Sequence, residues 1–219
     1  MARPRIGLIH ATPVAVEPIR NAFAVAWPEA ELTNLLDDSL TPDLANARVI
    51  TQALIDRIVT LADYARRIGS QGILFTCSSF GSAIEHAAKL LDVPVLKPNE
   101  SMFEAALCTG GRLAMIATFQ PAKASMELEF TEQAERLGSS ATLTTFVVEP
   151  AMAALRRGDT EMHHRLVAQQ ARELSGFDAI LLAHFSTAPA AATVRAAVDI
   201  PVFTSPESAV SKLRRLVRS

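Results

Sequence analysis

Cys77 and His184 are the residues of this chain whose types and spacing could do chemistry together. Cys77 lies in Ile73-Leu-Phe-Thr-Cys-Ser-Ser-Phe-Gly81, where Ile73 to Thr76 read as a short buried strand and Ala83 to Leu91 as an amphipathic helix. A polar cluster between a strand's carboxyl end and a helix N-terminus is where open α/β sheets hold ligands, because free N–H groups point outward there. A thiol at such a turn can act as nucleophile or base. His184 follows a second strand of the same kind, and an imidazole is a proton-transfer group at neutral pH.

The two positions are tied by an internal repeat. Residues 73–101 align without a gap on 180–208, an offset of 180 − 73 = 107. The offset 112 − 5 = 107 also pairs RIGLIHATPVAVEP with RLAMIATFQPAKAS. Two separated segments sharing one offset mark two copies of one unit. In this alignment Cys77 falls on His184, Thr76 on Ala183 and Ser79 on Ser186. Strand ends also bring His10, Thr12 and Pro13, then Ser78, Thr118 and Thr187, into the candidate set. Their neutral donors and helix N-termini could cradle a carboxylate without arginine.

The elements that must position these groups alternate strand and helix. Strands are expected over Arg5–Ile9, Glu31–Leu36 and the Cys77 segment, with a short one at Val93–Val95. The helices between them are Val14–Ala26 and one long pattern over Asp43–Ile68. The second copy repeats the plan with strands Leu113–Ala117, Ala141–Val148, Ala179–Ala183 and Pro201–Phe203. Its helices cover Pro121–Leu137, further segments to Leu174, and Ala188–Val198, before a basic helix over Ser205–Arg218. Such alternation predicts an α/β fold with parallel sheets and right-handed crossovers. The expected form is two pseudo-symmetric flavodoxin-like lobes, residues 1–97 plus 205–219 and residues 98–204, with an active-site cleft between them.

Bulk properties exclude other classes. The 219 residues carry 49% hydrophobic and 20% charged residues, an ordinary globular balance. Net charge is −2 without a basic block, which argues against nucleic acid or an anionic membrane surface as partner. No apolar run approaches a membrane span, the N-terminus reads directly into a strand, and two reduced cysteines fit a cytoplasmic protein.

Other tempting residues have plainer explanations. Cys108 reads as core, His163-His164 as a solvated helix face, and His86 as structural. Asn99-Glu-Ser101 and Ser205-Pro-Glu-Ser208 read as helix caps. Asp37-Asp-Ser39 reads equally well as a turn or as a cleft rim. There is no glycine-rich phosphate loop and no metal-ligand spacing, so no cofactor and no metal are indicated.

Thr76-Cys77-Ser78-Ser79, the repeat and the Pro-Val strands together resemble the aspartate/glutamate racemase superfamily over essentially the whole chain. Its members include pyridoxal-independent amino-acid racemases, hydantoin racemases, maleate isomerases and arylmalonate decarboxylases. The first catalytic motif there is typically Thr-Cys-Asn-Thr or Thr-Cys-Asn-Ser. The resemblance implies that a cysteine from each lobe acts as acid and base on opposite faces of a carbon next to a carboxylate. This chain departs at the second motif, usually Gly-Cys-Thr-His, where it has Leu182-Ala183-His184-Phe185. A two-thiol mechanism is thereby excluded: either His184 is the second acid/base or the enzyme works from one side.

The expected activity is a cofactor-independent racemase or epimerase acting α to a carboxylate or carbonyl of a small acid. The alternatives are a cofactor-independent decarboxylase of the arylmalonate type, nucleophilic catalysis by Cys77 with His184 as base, or a non-catalytic small-molecule binder. Proteins of this resemblance are often dimers, so a homodimer is an open expectation that the residue pattern does not fix.

Overall fold

Arg5–His10 (β1) is apolar on both sides, and burial is complete from Ile6 to His10. That pattern belongs to a central parallel strand covered by helices on both faces. Its neighbours are β2 (Glu31–Leu36) and β3 (Gly72–Phe75), and β4 (Val95–Leu96) completes a parallel sheet of order β2-β1-β3-β4. The computed structural model describes residues 3–218.

Four helices lie between these strands: α1 (Val16–Ala26), α2 (Leu40–Ala47), α3 (Gln52–Arg67) and α4 (Gly81–Leu90). Ile9, Ile73 and Phe75, on one face of the sheet, join Leu54, Ile58 and Ala62 of α3 and Ala83, Ile84 and Ala87 of α4 in one apolar cluster. Gly72 is needed because another helix crosses close above it. A Cβ there would stand 2.9 Å from both Leu213 Cδ1 and Val217 Cγ2.

A second unit begins at α5 (Glu100–Leu107) and repeats the plan. Its strands β5 (Arg112–Ala117), β6 (Thr142–Val147), β7 (Ala179–Leu182) and β8 (Val202–Thr204) form a parallel sheet of order β6-β5-β7-β8. Its helices are α6 (Lys123–Arg136), α7 (Glu149–Arg156), α8 (Thr160–Arg172) and the short α9 (Ala191–Arg195). Alternation along the strands is clean. Ala114, Ile116, Ile180 and Leu182 face the layer of α7, α8 and α9, whereas Leu113, Met115, Ala179 and Leu181 face α5 and α6. The last helix, α10 (Ser205–Arg218), opens in the second unit and runs into the first. By compactness the units are Met1–Asn99 with Ala209–Ser219, and Glu100–Ser208.

Strand registers carry the repeat. Leu8 pairs with Leu74 and Met115 with Leu181, while Ile73 pairs with Val95 and Ile180 with Val202. Every member of the second set is 107 residues beyond its counterpart. The second strand differs: Arg5 pairs with Glu31 but Arg112 with Thr142, an offset of 142 − 31 = 111. Four extra residues lie between β5 and β6, and the next connection is four shorter.

The expected single helix over Asp43–Ile68 is corrected to two. Arg48 closes α2 in the left-handed region (φ 61°), and the chain restarts at Thr51, whose hydroxyl accepts the Leu54 N–H at 3.4 Å. Likewise the helix expected over Ala188–Val198 becomes a 3-10 turn followed by the five residues of α9. Among the described residues no helix is long and apolar enough to cross a membrane.

Candidate active site

In a parallel sheet of order 2-1-3-4 the chain reverses direction of winding between its first and third strands, and helices leave those two strands toward opposite faces. The crevice outside their carboxyl ends is then the binding position that the fold itself supplies. In the first unit that crevice lies between the exits of β1 and β3, and Cys77 stands on the β3 exit. Its backbone is extended (φ −118°, ψ 121°) and it caps a 3-10 turn, Ser78–Phe80, that leads into α4. Its thiol is free and half-buried, packed against the cluster that contains Phe75 and Phe80. Ser78 is half-buried and Ser79 exposed; on the β1 exit Thr12 is half-buried and Pro13 exposed. All four keep solvent-accessible surface.

His10 does not. It was expected among the substrate contacts, but it is wholly buried and both ring nitrogens are engaged by protein. Nδ1 lies 2.9 Å from Thr76 Oγ1 and Nε2 lies 3.0 Å from Asn34 Oδ1. Because Asn34 Oδ1 can only accept, Nε2 carries the proton and Nδ1 accepts the Thr76 hydroxyl. Burial lowers the His10 pKa from its ordinary value, opposed by the bond to Asn34, so the ring is neutral at pH 7.

The second unit's crevice, between the exits of β5 and β7, carries His184. Its backbone is left-handed (φ 67°), a conformation uncommon outside glycine, at a turn between β7 and a 3-10 helix. Nε2 is buried without a hydrogen-bond partner among the described residues. Burial lowers its pKa, so at pH 7 the imidazole is neutral and able to accept a proton. Ser186 is half-buried beside it. Thr118 and Thr187, also expected to reach substrate, are both buried, and their hydroxyls lie 3.4 Å apart, tying the β5 and β7 exits together.

Two further expectations change, and for a third segment one of the two readings is observed. His163 is not on a solvated face: it is fully buried on the side of α8 that carries Val167 and Ala171, with neither ring nitrogen partnered among the described residues. Cys108 is exposed, because α5 ends at Leu107 and the chain turns out through Thr109. The Asp37-Asp38-Ser39 segment is a turn held by Arg57, whose guanidinium reaches Asp37 at 2.6 Å and Asp43 at 2.5 Å. Asn34 was missed, although a lone amide inside the strand ELTNLL was a signal. In register it lies opposite Leu8, hence on the same face of the sheet as His10. Among the described residues no group of three or more His, Cys, Asp or Glu could hold a metal ion.

The sequence pattern of the Asp/Glu/hydantoin racemase family matches residues 11–175, three-quarters of the chain. The chain belongs to that family. The matched span contains Cys77 and stops short of His184. No curated protein matches the sequence. Solved structures do share the fold. Allantoin racemase from Klebsiella pneumoniae is similar with a TM-score of 0.72 at 18% identity, covering 98% of this chain and 88% of its own. Picrophilus torridus aspartate racemase gives 0.70 at 16% identity, covering 98% and 94%. A doubly substituted arylmalonate decarboxylase in its liganded form gives 0.70 at 18% identity, covering 98% and 92%.

Proposed function

We propose that this protein is a cofactor-independent racemase or epimerase that moves the proton on a carbon next to the carboxylate or carbonyl of a small acid. The observation that carries the reading is the free, half-buried Cys77 at the switch point of the first sheet, in a chain of a racemase family. His184, at the corresponding exit of the second sheet and neutral at pH 7, supplies the second group.

The proton count is simple. With His184 neutral and Cys77 a thiol, the imidazole removes the α-proton and the thiol delivers one to the opposite face of the carbon. Afterwards the pair is imidazolium and thiolate, the charge state needed for the reverse direction. Proton abstraction leaves an enolate, the costly species, and oriented N–H groups and hydroxyls at Thr12, Ser78, Ser79 and Ser186 would stabilise it. Burial disfavours the imidazolium form of His184 before substrate is bound.

The test is α-proton exchange in deuterated water, followed by NMR, with allantoin and other hydantoins, aspartate, glutamate, 2-aryl acids and substituted malonates. The expected result is exchange with inversion for one group of substrates, reduced at least 1,000-fold in Cys77→Ser and at least 100-fold in His184→Ala. Exchange that survives Cys77→Ser would refute it. A decarboxylase is the second reading, favoured by the presence of a thiol at only one of the two switch points. It predicts deuterium entering the product only as carbon dioxide leaves, dependent on Cys77 and indifferent to His184→Ala.

A further inference from the structure

The His10–Thr76–Asn34 chain has no counterpart in the second unit, and the repeat makes that difference informative. At the positions of His10 and Thr76 the second sheet has Ala117 and Ala183. Asn34, opposite Leu8, corresponds in register to Thr145, opposite Met115, and the Thr145 hydroxyl is buried with no partner among the described residues. The same sheet therefore forms with alanine at two of the three positions. Folding does not explain why the first unit buries an imidazole, a hydroxyl and an amide contact there. What distinguishes the first unit at this place is the thiol on the next residue.

We propose that His10, Thr76 and Asn34 form a positioning network for Cys77, an inference that rests on the reading of Cys77 as the reactive group. The three residues come from β1, from the exit of β3 and from β2. Asn34 Oδ1 accepts from Nε2 and so fixes the His10 tautomer; Nδ1 then has only a lone pair to offer, and the Thr76 hydroxyl donates to it at 2.9 Å in preference to its other acceptor, the Ile9 carbonyl at 3.4 Å. The Thr76 N–H donates to the Ile9 carbonyl at 3.0 Å. Thr76 is thus held by backbone and side chain at once, and with it the peptide that sets the direction of Cys77. Without this anchor Cys77 relaxes toward the apolar cluster it already packs against, and its sulfur withdraws from reagent and substrate alike. His10 touches no substrate in this scheme; it acts through Thr76.

The experiment reads Cys77 directly, without a known substrate. In a Cys108→Ser background, which removes the exposed thiol, the rate of alkylation by iodoacetamide is measured at pH 7.5 by mass spectrometry. Thr76→Ala and His10→Ala each slow the reaction at least fivefold, and Asn34→Ala slows it about twofold. The His10→Ala/Thr76→Ala double variant, which reproduces the pair the second unit already folds with, is no slower than the worse single variant. Thr76→Ser, which keeps the hydroxyl, restores the wild-type rate, a rescue that a purely structural role would not require. Wild-type rates in the single variants, effects that multiply in the double, or failure of Thr76→Ser to restore the rate would each overturn the network. If the network variants leave alkylation untouched while Cys77→Ser abolishes exchange, the inference fails and the proton-transfer reading stands. If alkylation follows the network but no substrate exchanges, the network stands and that reading fails.

Discussion

His163 makes the stability of the second unit depend on pH in a way that can be calculated. The ring is fully buried, neither nitrogen has a hydrogen-bond partner among the described residues, and it stands edge-on to His164, at 5.4 Å between centroids. Burial, with a smaller contribution from His164, lowers its pKa from 6.5 to about 4. In the unfolded chain the ring titrates at its ordinary value, so between these limits the unfolded state binds the extra proton. Stability is therefore whole above the unfolded value and is lost as pH falls toward 4. Between pH 7 and pH 5 the loss from this one group is about 2 kcal/mol, and it approaches roughly 3 kcal/mol at lower pH. His10, His164 and His184 are shifted the same way by burial and add to the slope. Replacement of His163 by leucine isolates its share. Urea unfolding followed by circular dichroism at pH 7 and pH 5 is expected to show His163→Leu losing about 2 kcal/mol less than wild type over that interval. Parallel pH dependence in the two proteins would refute the reasoning, because it would mean that the imidazole is already able to charge in the folded state.

Two further perturbations probe the backbone. Gly72→Ala brings a Cβ to 2.9 Å from Leu213 and Val217 of α10 and is expected to destabilise the first unit by about 1–3 kcal/mol in the same urea assay; an unchanged midpoint would mean that α10 yields freely. Arg48→Gly relieves the left-handed backbone at the end of α2 (φ 61°) and is expected to stabilise by roughly 0.5–1 kcal/mol. A loss on that substitution would show that the arginine side chain contributes more than its backbone costs.

Much of this was legible in the sequence because both sheets are buried on two faces. Unbroken apolar runs such as Ile6-Gly-Leu-Ile9 and Ile180-Leu-Leu182 leave little choice of element, and β2 and α10 fall at the bounds expected for them. The repeat then fixed which strands correspond, so Cys77 and His184 could be named together. What failed were judgements that depend on which way a side chain turns. His163 looked solvated beside charged neighbours, yet its spacing of four from Val167 and eight from Ala171 put it on the buried stripe. Cys108 looked apolar but lies one residue past the end of its helix. His10, Thr118 and Thr187 lie at strand ends as expected but are buried and hydrogen-bonded there, because pairing across a sheet is invisible along the chain. Thr51, a capping residue before Gln52-Ala-Leu-Ile55, was the overlooked break in the long helical pattern.

The path of α10 has a consequence for the order in which the molecule is finished. The second unit occupies one continuous stretch, Glu100–Ser208, whereas the first needs Ala209–Ser219 as well. During synthesis all four strands of the first sheet emerge early, but Gly72 stays uncovered until Leu213 and Val217 have been made. The half of the protein that carries Cys77 is begun first and closed last. Throughout the interval in which its neighbour is made, that half has an apolar flank bare, and bare apolar surface on a partly made chain favours aggregation.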